Sequence, residues 1–137
     1  MGFTPTEIEY LNSQPLGRIA TVAPDGQPDN AAVGFRLQED GTILVGGMRN
    51  TRTRKWTNIE AGANRVALVV DDLLSTRPWR PRGIRIYGTA ETQHTEGQFG
   101  PGAYIRITPT TSWSWGIEPE PERGFRPHRT VHGEETS

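Results

Sequence analysis

The chain has 137 residues, a length that suits a single domain with its own hydrophobic core. Its 15 basic and 16 acidic residues leave a formal net charge of -1, which argues against a nucleic-acid partner, because nucleic-acid-binding domains usually carry a basic excess. Cysteine is absent, which excludes disulfides, thiolate metal sites and cysteine nucleophiles. No signal-peptide pattern or apolar run of membrane-spanning length is visible, so we expect a cytoplasmic protein without a membrane partner.

The first half of the chain predicts one helix followed by three strands. A helix over 4–14 is indicated by Thr4 as its cap, by Glu7 as the partner in a capping box, and by Pro15, which ends it. Alternating apolar residues then predict antiparallel strands joined by tight Asp-Gly turns, at 18–22, 30–37 and 42–46.

The second half predicts a second short helix and further strands. A helix over 53–61 is followed by Gly62, a common helix stop, and the nearly continuous apolar run 65–70 predicts a central strand. Two prolines make 73–82 a predicted loop. The remaining expected elements are a strand at 83–91, a flexible connection at 97–102, and two strands on either side of Pro109, at 103–108 and 112–117.

Six or seven strands with two short helices predict a mainly β fold, a small antiparallel barrel. We expect residues 1–117 to form this cofactor-binding domain. Residues 118–137 are acidic and rich in proline, and we expect this tail to lack independent structure, although it could still pack across a partner subunit.

A basic turn lies between the third strand and the second helix. Of the 15 basic residues in the chain, only Lys55 is a lysine. It closes a stretch of seven residues with four cations and no acid: Arg49, Arg52, Arg54 and Lys55. Thr51 and Thr53 can each cap the helix, so hydroxyls, cations and free N–H groups converge where a phosphate could bind. The alternative is a solvated basic helix start whose threonines serve only as caps.

Several short motifs follow one another in a familiar order along residues 4–117. They are Ala20-Thr21-Val22, Asp25-Gly26-Gln27-Pro28, the strand 30–36, Thr53-Arg54-Lys55, the strand 65–70 and Arg85-Ile86-Tyr87-Gly88. This succession resembles the pyridoxamine-phosphate-oxidase-like superfamily of split β-barrels, and especially its small actinobacterial-type members that use the deazaflavin coenzyme F420. The resemblance implies a homodimeric split barrel with a cofactor groove lined by both subunits.

The resemblance also implies roles for particular residues. The element Thr53-Arg54-Lys55 matches the one that binds the cofactor phosphate in the superfamily, and Lys55 with Asn58 matches a pair typical of the deazaflavin-binding members. Arg52 adds positive charge beside this element. The second strand runs beneath the isoalloxazine-like ring in these relatives, and its matching residues here are Asn30, Ala31, Ala32 and Val33. Small side chains there suit the close approach of a flat ring.

Two departures from the flavin-phosphate oxidases favour F420 over FMN. Those enzymes carry an arginine where Ala31 stands, and their C-terminal Arg-x-His element is matched here only by Arg126-Pro127-His128, within the proline-rich tail. The anionic tail of a deazaflavin would suit three further arginines outside the basic turn: Arg77, Arg80 and Arg82.

No nucleophile–base constellation is evident, and we expect no metal site, because His128 and His132 have no evident third ligand. The catalytic residues stay unknown. An oxidoreductase needs few of them when a cofactor carries the hydride. We therefore expect F420-dependent hydride transfer to an unsaturated small molecule. The alternatives are an FMN-dependent oxidoreductase of the same fold and a non-catalytic flavin-, deazaflavin- or tetrapyrrole-binding protein.

Overall fold

A computed structural model describes residues 2–47, 49–119 and 127–133 of the chain. Helix α1 spans Pro5–Ser13 and helix α2 spans Arg54–Glu60, with a single 3-10 turn at Asn50–Arg52 just before α2. The strands are β1 (Leu16–Val22), β2 (Pro28–Leu37), β3 (Ile43–Val45), β4 (Arg65–Thr76), β5 (Trp79–Gly97), β6 (Gly100–Trp115) and β7 (His128–Val131).

The strands form one antiparallel sheet in the order β3-β2-β1-β4-β5-β6-β7. An additional pairing of β3 with β6 closes β1 to β6 into a barrel and leaves β7 on its outside. Inward-facing residues of alternate positions, such as Ile19, Leu68, Ile86 and Ile107, fill the barrel and are fully buried. The predicted antiparallel split barrel with two short helices is therefore confirmed.

Helix α1 begins as its sequence predicts and is tied to the barrel by its own cap. The Thr4 hydroxyl accepts from the Glu7 amide at 3.1 Å, and the Glu7 carboxylate accepts from the Thr4 amide at 3.0 Å. The second Glu7 oxygen accepts from the Ser114 hydroxyl on β6 at 2.6 Å, and Glu7 is fully buried. One side chain thus both starts the helix and fixes it to the far strand.

The prediction of a loop over 73–82 was wrong. The segment is a β-hairpin in which β4 and β5 pair as far as Thr76 and Trp79, with only residues 77–78 between them. Proline lacks an N–H, so it is tolerated in a sheet at turns and bulges. Pro78 lies in the turn, and Pro81 pairs with Leu73 beside a register shift.

Two further expectations around β6 need correction. The segments 103–108 and 112–117 are one strand, because Pro109 lies at a bulge opposite Gly88 and does not interrupt the pairing. The flexible connection expected over 97–102 is shorter than predicted. The pair Gly97 and Gly100 closes the β5–β6 hairpin, so only two residues lie outside the ladder.

Part of the C-terminal tail forms a strand by pairing with the barrel. His128–Val131 pairs with Thr111–Ser114 of β6, and the His132 ring lies 2.7 Å from the Ser112 hydroxyl. The pairing supplies backbone partners that the tail sequence lacks by itself. Arg126 of the Arg126-Pro127-His128 element lies outside the described residues. The division of the chain at residue 117 stays a prediction.

Candidate functional site

The basic turn is built from a left-handed residue, a 3-10 turn and a helix cap. Arg49 has a φ of 58° and precedes the 3-10 turn. The Thr53 hydroxyl accepts from the Trp56 amide at 3.3 Å and donates to the Asn50 carbonyl at 2.7 Å. The helix predicted over 53–61 is thus confirmed, with Thr53 as its N-cap. The single hydroxyl hydrogen of Thr53 is already used inside the turn.

Lys55 differs from the other cations of this turn because its side chain is buried. Lys55 is 8% exposed, whereas Arg49, Arg52 and Arg54 are exposed. Burial lowers the pKa of the Lys55 ammonium, and the negative charge of Asp29 opposes that shift. Within the described residues, the ion pairs join other cations to aspartates and none includes Lys55.

Asn58 lies one turn after Lys55 and connects α2 to the barrel. Its side-chain amide donates to the Thr21 hydroxyl at 3.0 Å, and both groups are buried. Thr21 is the cross-strand partner of Asp29, the residue whose charge acts on Lys55. The structure therefore brings Lys55 and Asn58 together with the beginning of β2.

The second strand has an open backbone edge where the ring contacts are expected. On one side, residues 28–34 of β2 pair with β1. On the other side, β3 pairs only with Phe35–Leu37, so in the described part of the chain no strand covers the edge of 28–34. In an antiparallel strand the N–H and C=O groups of alternate residues point to each edge. This edge therefore offers both donors and acceptors.

The side chains of the four β2 residues that the resemblance places beneath the cofactor ring alternate between the outside and the inside of the barrel. The side chains of Asn30 and Ala32 are exposed, Ala31 is half-buried and Val33 packs in the core. Val33 can thus reach a ligand only through its backbone. Because the exposed side chain of Ala32 is small, a flat ring has room to approach the outer face of the strand.

Asn50 is a buried polar residue of the basic turn to which the sequence analysis assigned no role. It is 3% exposed, and its amide donates to the carbonyls of Val45 at 3.2 Å and Ala103 at 3.0 Å. Its Oδ1 atom is buried without a hydrogen-bond partner within the described residues. The asparagine joins the basic turn to β3 and β6, a role that only the fold discloses.

The three arginines outside the basic turn that were expected to suit the anionic tail of the cofactor lie on the β4–β5 hairpin. Arg82 makes a two-pronged ion pair with Asp72, at 2.7 and 3.0 Å, and its guanidinium stacks over Tyr10. Arg77 and Arg80 are exposed on the β4–β5 hairpin. Arg82 is therefore engaged in holding α1 against the hairpin.

The described ranges contain no group of three or more His, Cys, Asp or Glu side chains placed to hold a metal ion. Neither α1 nor α2 has the length and hydropathy that a membrane-crossing helix requires, and no other helix in these ranges does.

Comparisons with known proteins agree with this architecture. Residues 3–114 match the family model of pyridoxamine 5'-phosphate oxidase. A 5a,11a-dehydrotetracycline/5a,11a-dehydrooxytetracycline reductase of Streptomyces rimosus subsp. rimosus is 42% identical over 123 residues, which cover 86% of each chain.

Solved structures show the same fold. A structure named F420 reductase is 25% identical, with a TM-score of 0.58 over 76% of this chain and 94% of that one. A conserved hypothetical protein of Mycobacterium tuberculosis is 21% identical, with a TM-score of 0.65 over 89% and 92% of the two chains.

The chain belongs to the pyridoxamine 5'-phosphate oxidase family of split barrels, so the resemblance found in the sequence is confirmed. Within this family it is an oxidoreductase, as its likeness to the Streptomyces reductase shows.

The largely buried side chain of Lys55 predicts a trade-off between stability and binding. We expect Lys55→Met to leave the free energy of unfolding of the ligand-free protein unchanged or raised by roughly 0–2 kcal/mol, because it removes a charge that desolvation disfavours in the folded chain. The folded pKa of Lys55 is lowered, so the unfolded chain binds the proton more tightly, and the gain should shrink as the pH rises through that lowered pKa.

Urea unfolding at neutral and alkaline pH measures this gain, with Arg54→Met as the matched control at an exposed neighbour. A loss of more than about 1 kcal/mol for Lys55→Met alone would mean that the ammonium has a stabilising partner in the free protein.

Proposed function

We propose that this oxidoreductase uses F420 to reduce an unsaturated small molecule. The observation that carries the proposal is Lys55, a largely buried lysine without a carboxylate in ion-pair contact among the described residues, beside an open strand edge. An anion bound there would compensate for the loss of hydration. A 42%-identical reductase supports the reaction class, and the F420 reductase structure supports the cofactor.

The phosphate end of the cofactor would be held by a few groups of the basic turn. Lys55 would supply a charge on a largely buried side chain, and exposed Arg52 and Arg54 would contribute to the field around it. Asn58 has a carbonyl oxygen and a second amide hydrogen beyond the bond to Thr21. Thr53 would orient the turn by its cap, since its hydroxyl hydrogen is already donated to Asn50.

The ring end of the cofactor would lie against β2. The open edge over Asn30, Ala31, Ala32 and Val33 offers backbone donors and acceptors of the kind that a pyrimidine-like ring edge requires. The small exposed side chain of Ala32 permits close approach. When bound and reduced, F420 supplies the hydride, and the chain's own residues bind, orient and shield it from water.

FMN is the second candidate cofactor, because it too joins a phosphate to a flat ring, and Lys55 suits either group. Ala31 favours the deazaflavin, since flavin-phosphate oxidases carry an arginine at the matching position. The substrate in either case would be an electron-poor double bond, which accepts the hydride at one carbon and a proton at the other.

Cofactor titration tests this proposal. We expect wild-type protein to quench F420 fluorescence at a lower concentration than it binds FMN. Lys55→Met should weaken F420 binding by about tenfold or more, which is the loss of at least one charge-assisted hydrogen bond. Arg54→Met, which removes an exposed charge, should weaken it by less than about threefold.

Turnover with reduced F420 and 5a,11a-dehydrotetracycline or cyclohex-2-enone then separates an enzyme from a carrier. Tight FMN binding with no F420 binding would overturn the cofactor assignment. Equal losses of F420 affinity in the Lys55→Met and Arg54→Met variants would indicate that the basic turn is only a solvated helix start.

We further propose that the active form is a homodimer. A row of small and aromatic side chains crosses the outer face of the sheet from the ring site, through the paired residues Asn30, Ala20, Ala67 and Tyr87. Tyr87 is 44% exposed and packs edge-on against Trp113, with their ring centroids 4.9 Å apart. Aromatic surface of this kind is typical of interfaces. A second copy on this face would border the ring site.

Light scattering after gel filtration checks the dimer. The wild-type protein should elute with the mass of two chains. Tyr87→Lys should shift it toward one chain and weaken F420 binding in parallel, because it places a charge at the centre of the contact. A wild-type protein that binds F420 tightly as a monomer would contradict the dimer.

A further inference from the structure

The tip of the β5–β6 hairpin carries an uncharged cleft. Its volume is about 270 Å³, enough for one or two rings, and it is lined by Gly47, Phe99, Pro101, Gly102, Ala103 and Tyr104. None of these lining residues is charged. Small-molecule sites are commonly apolar clefts with few polar groups. We call this feature the hairpin-tip cleft.

Tyr104 fixes the shape of the hairpin tip. It is 2% exposed, and its hydroxyl donates to the Gly100 carbonyl at 2.7 Å while it accepts from the Phe99 amide at 3.0 Å. The first bond ends on Gly100, where β6 begins, and the second on Phe99, the last residue of the two-residue turn between β5 and β6. The backbone that carries Phe99 is thereby held in place, although the Phe99 side chain is 65% exposed.

Phe99, a residue of the cleft, lies next to the strand that carries the proposed ring site. A Cβ at Gly34 of β2 would lie 3.5 Å from the Phe99 ring, so the hairpin tip packs at the end of the open edge formed by residues 28–34. A Cβ at Gly46 would lie 2.7 Å from the Tyr104 ring and 2.9 Å from the Phe99 ring. Only glycine at 46 lets both rings approach this closely.

The cleft also adjoins the basic turn. The Asn50 amide donates to the carbonyl of Ala103, one of the cleft residues, and Gly47 lies between β3 and that turn. The cleft therefore lies between the proposed ring site and the proposed phosphate site, and its own lining residues carry no charge.

We propose that the hairpin-tip cleft is the substrate subsite, that it takes a flat, uncharged ring of the unsaturated substrate, and that Phe99 is its specificity-determining residue. This inference rests on the proposed function. An exposed aromatic ring on a fixed backbone can stack on a flat ligand at little entropic cost. Tyr104 acts as a positioning residue, since it holds Phe99 through the backbone.

Direct binding tests the subsite without depending on turnover. The probe is menadione, a flat, uncharged two-ring quinone, titrated by calorimetry into the full chain with and without F420. Phe99→Ala should weaken menadione binding by about tenfold, or about 1.4 kcal/mol, while Phe99→Tyr keeps it within about twofold. The control Trp79→Ala removes an aromatic ring that is equally exposed, at 65%, and should change nothing.

Steady-state kinetics with reduced F420 supply the second readout. Phe99→Ala should raise KM for menadione about tenfold with kcat within about twofold, because the lost contact is made equally in the ground and transition states. Tyr104→Phe should raise KM in the same direction by a smaller factor. The dissociation constant for F420 should stay within about twofold in both variants.

The outcomes separate this inference from the proposed function. If F420 binds but Phe99→Ala leaves menadione affinity unchanged, or Trp79→Ala lowers it equally, the subsite is wrong and the function stands. If menadione binding depends on Phe99 but F420 does not bind, the function is wrong and the subsite stands. A wild-type protein that binds no menadione in either form overturns the subsite.

Discussion

The burial of one charged side chain, that of Lys55, places the strongest constraint on the proposed site. An ammonium group loses hydration as it is removed from water, and a partner charge usually compensates. Lys55 is largely buried, and Asp29 opposes the lowering of its pKa without forming an ion pair; among the described residues, no ion pair includes Lys55. We therefore propose that the charge is balanced by an anion that comes from outside the chain.

The barrel positions helix α2, and with it Lys55, beside the open edge of β2. Helix α2 packs against β1, β2 and β5, and Asn58 fixes its orientation through the hydrogen bond to Thr21. Strand β3 is only three residues long, so β2 extends well beyond it and keeps an open edge. The long β5–β6 hairpin then reaches back to that edge through Phe99. Charge, backbone edge and aromatic tip thus lie in succession along one side of the molecule.

Local signals in the sequence predict much of this arrangement. The capping box at Thr4, the Asp-Gly turns and the cap at Thr53 act over three or four residues, and the structure has each of them. Prolines misled the interpretation at 73–82 and at Pro109, because a proline at a turn or bulge leaves the rest of the ladder intact.

Long-range pairing is the part that sequence patterns could not supply. Strand β7 exists only because β6 offers it an edge, and the role of Asn50 depends on Val45 and Ala103, which come together after folding. The role proposed for Phe99 likewise depends on its contacts with Gly34 and Gly46, which form only after folding. The chemical nature of Lys55, in contrast, was visible as the single lysine among 15 basic residues.

Residue-resolved amide exchange, followed by NMR with and without F420, tests the central claim most directly, since exchange reports the protection of individual backbone N–H groups. We expect F420 to slow exchange at alternate amides between Asn30 and Val33, those on the open edge of β2, and in the turn around Lys55. Amides of β2 that bond to β1 should change little. Protection confined to other parts of the barrel, such as the β4–β5 hairpin, would contradict it.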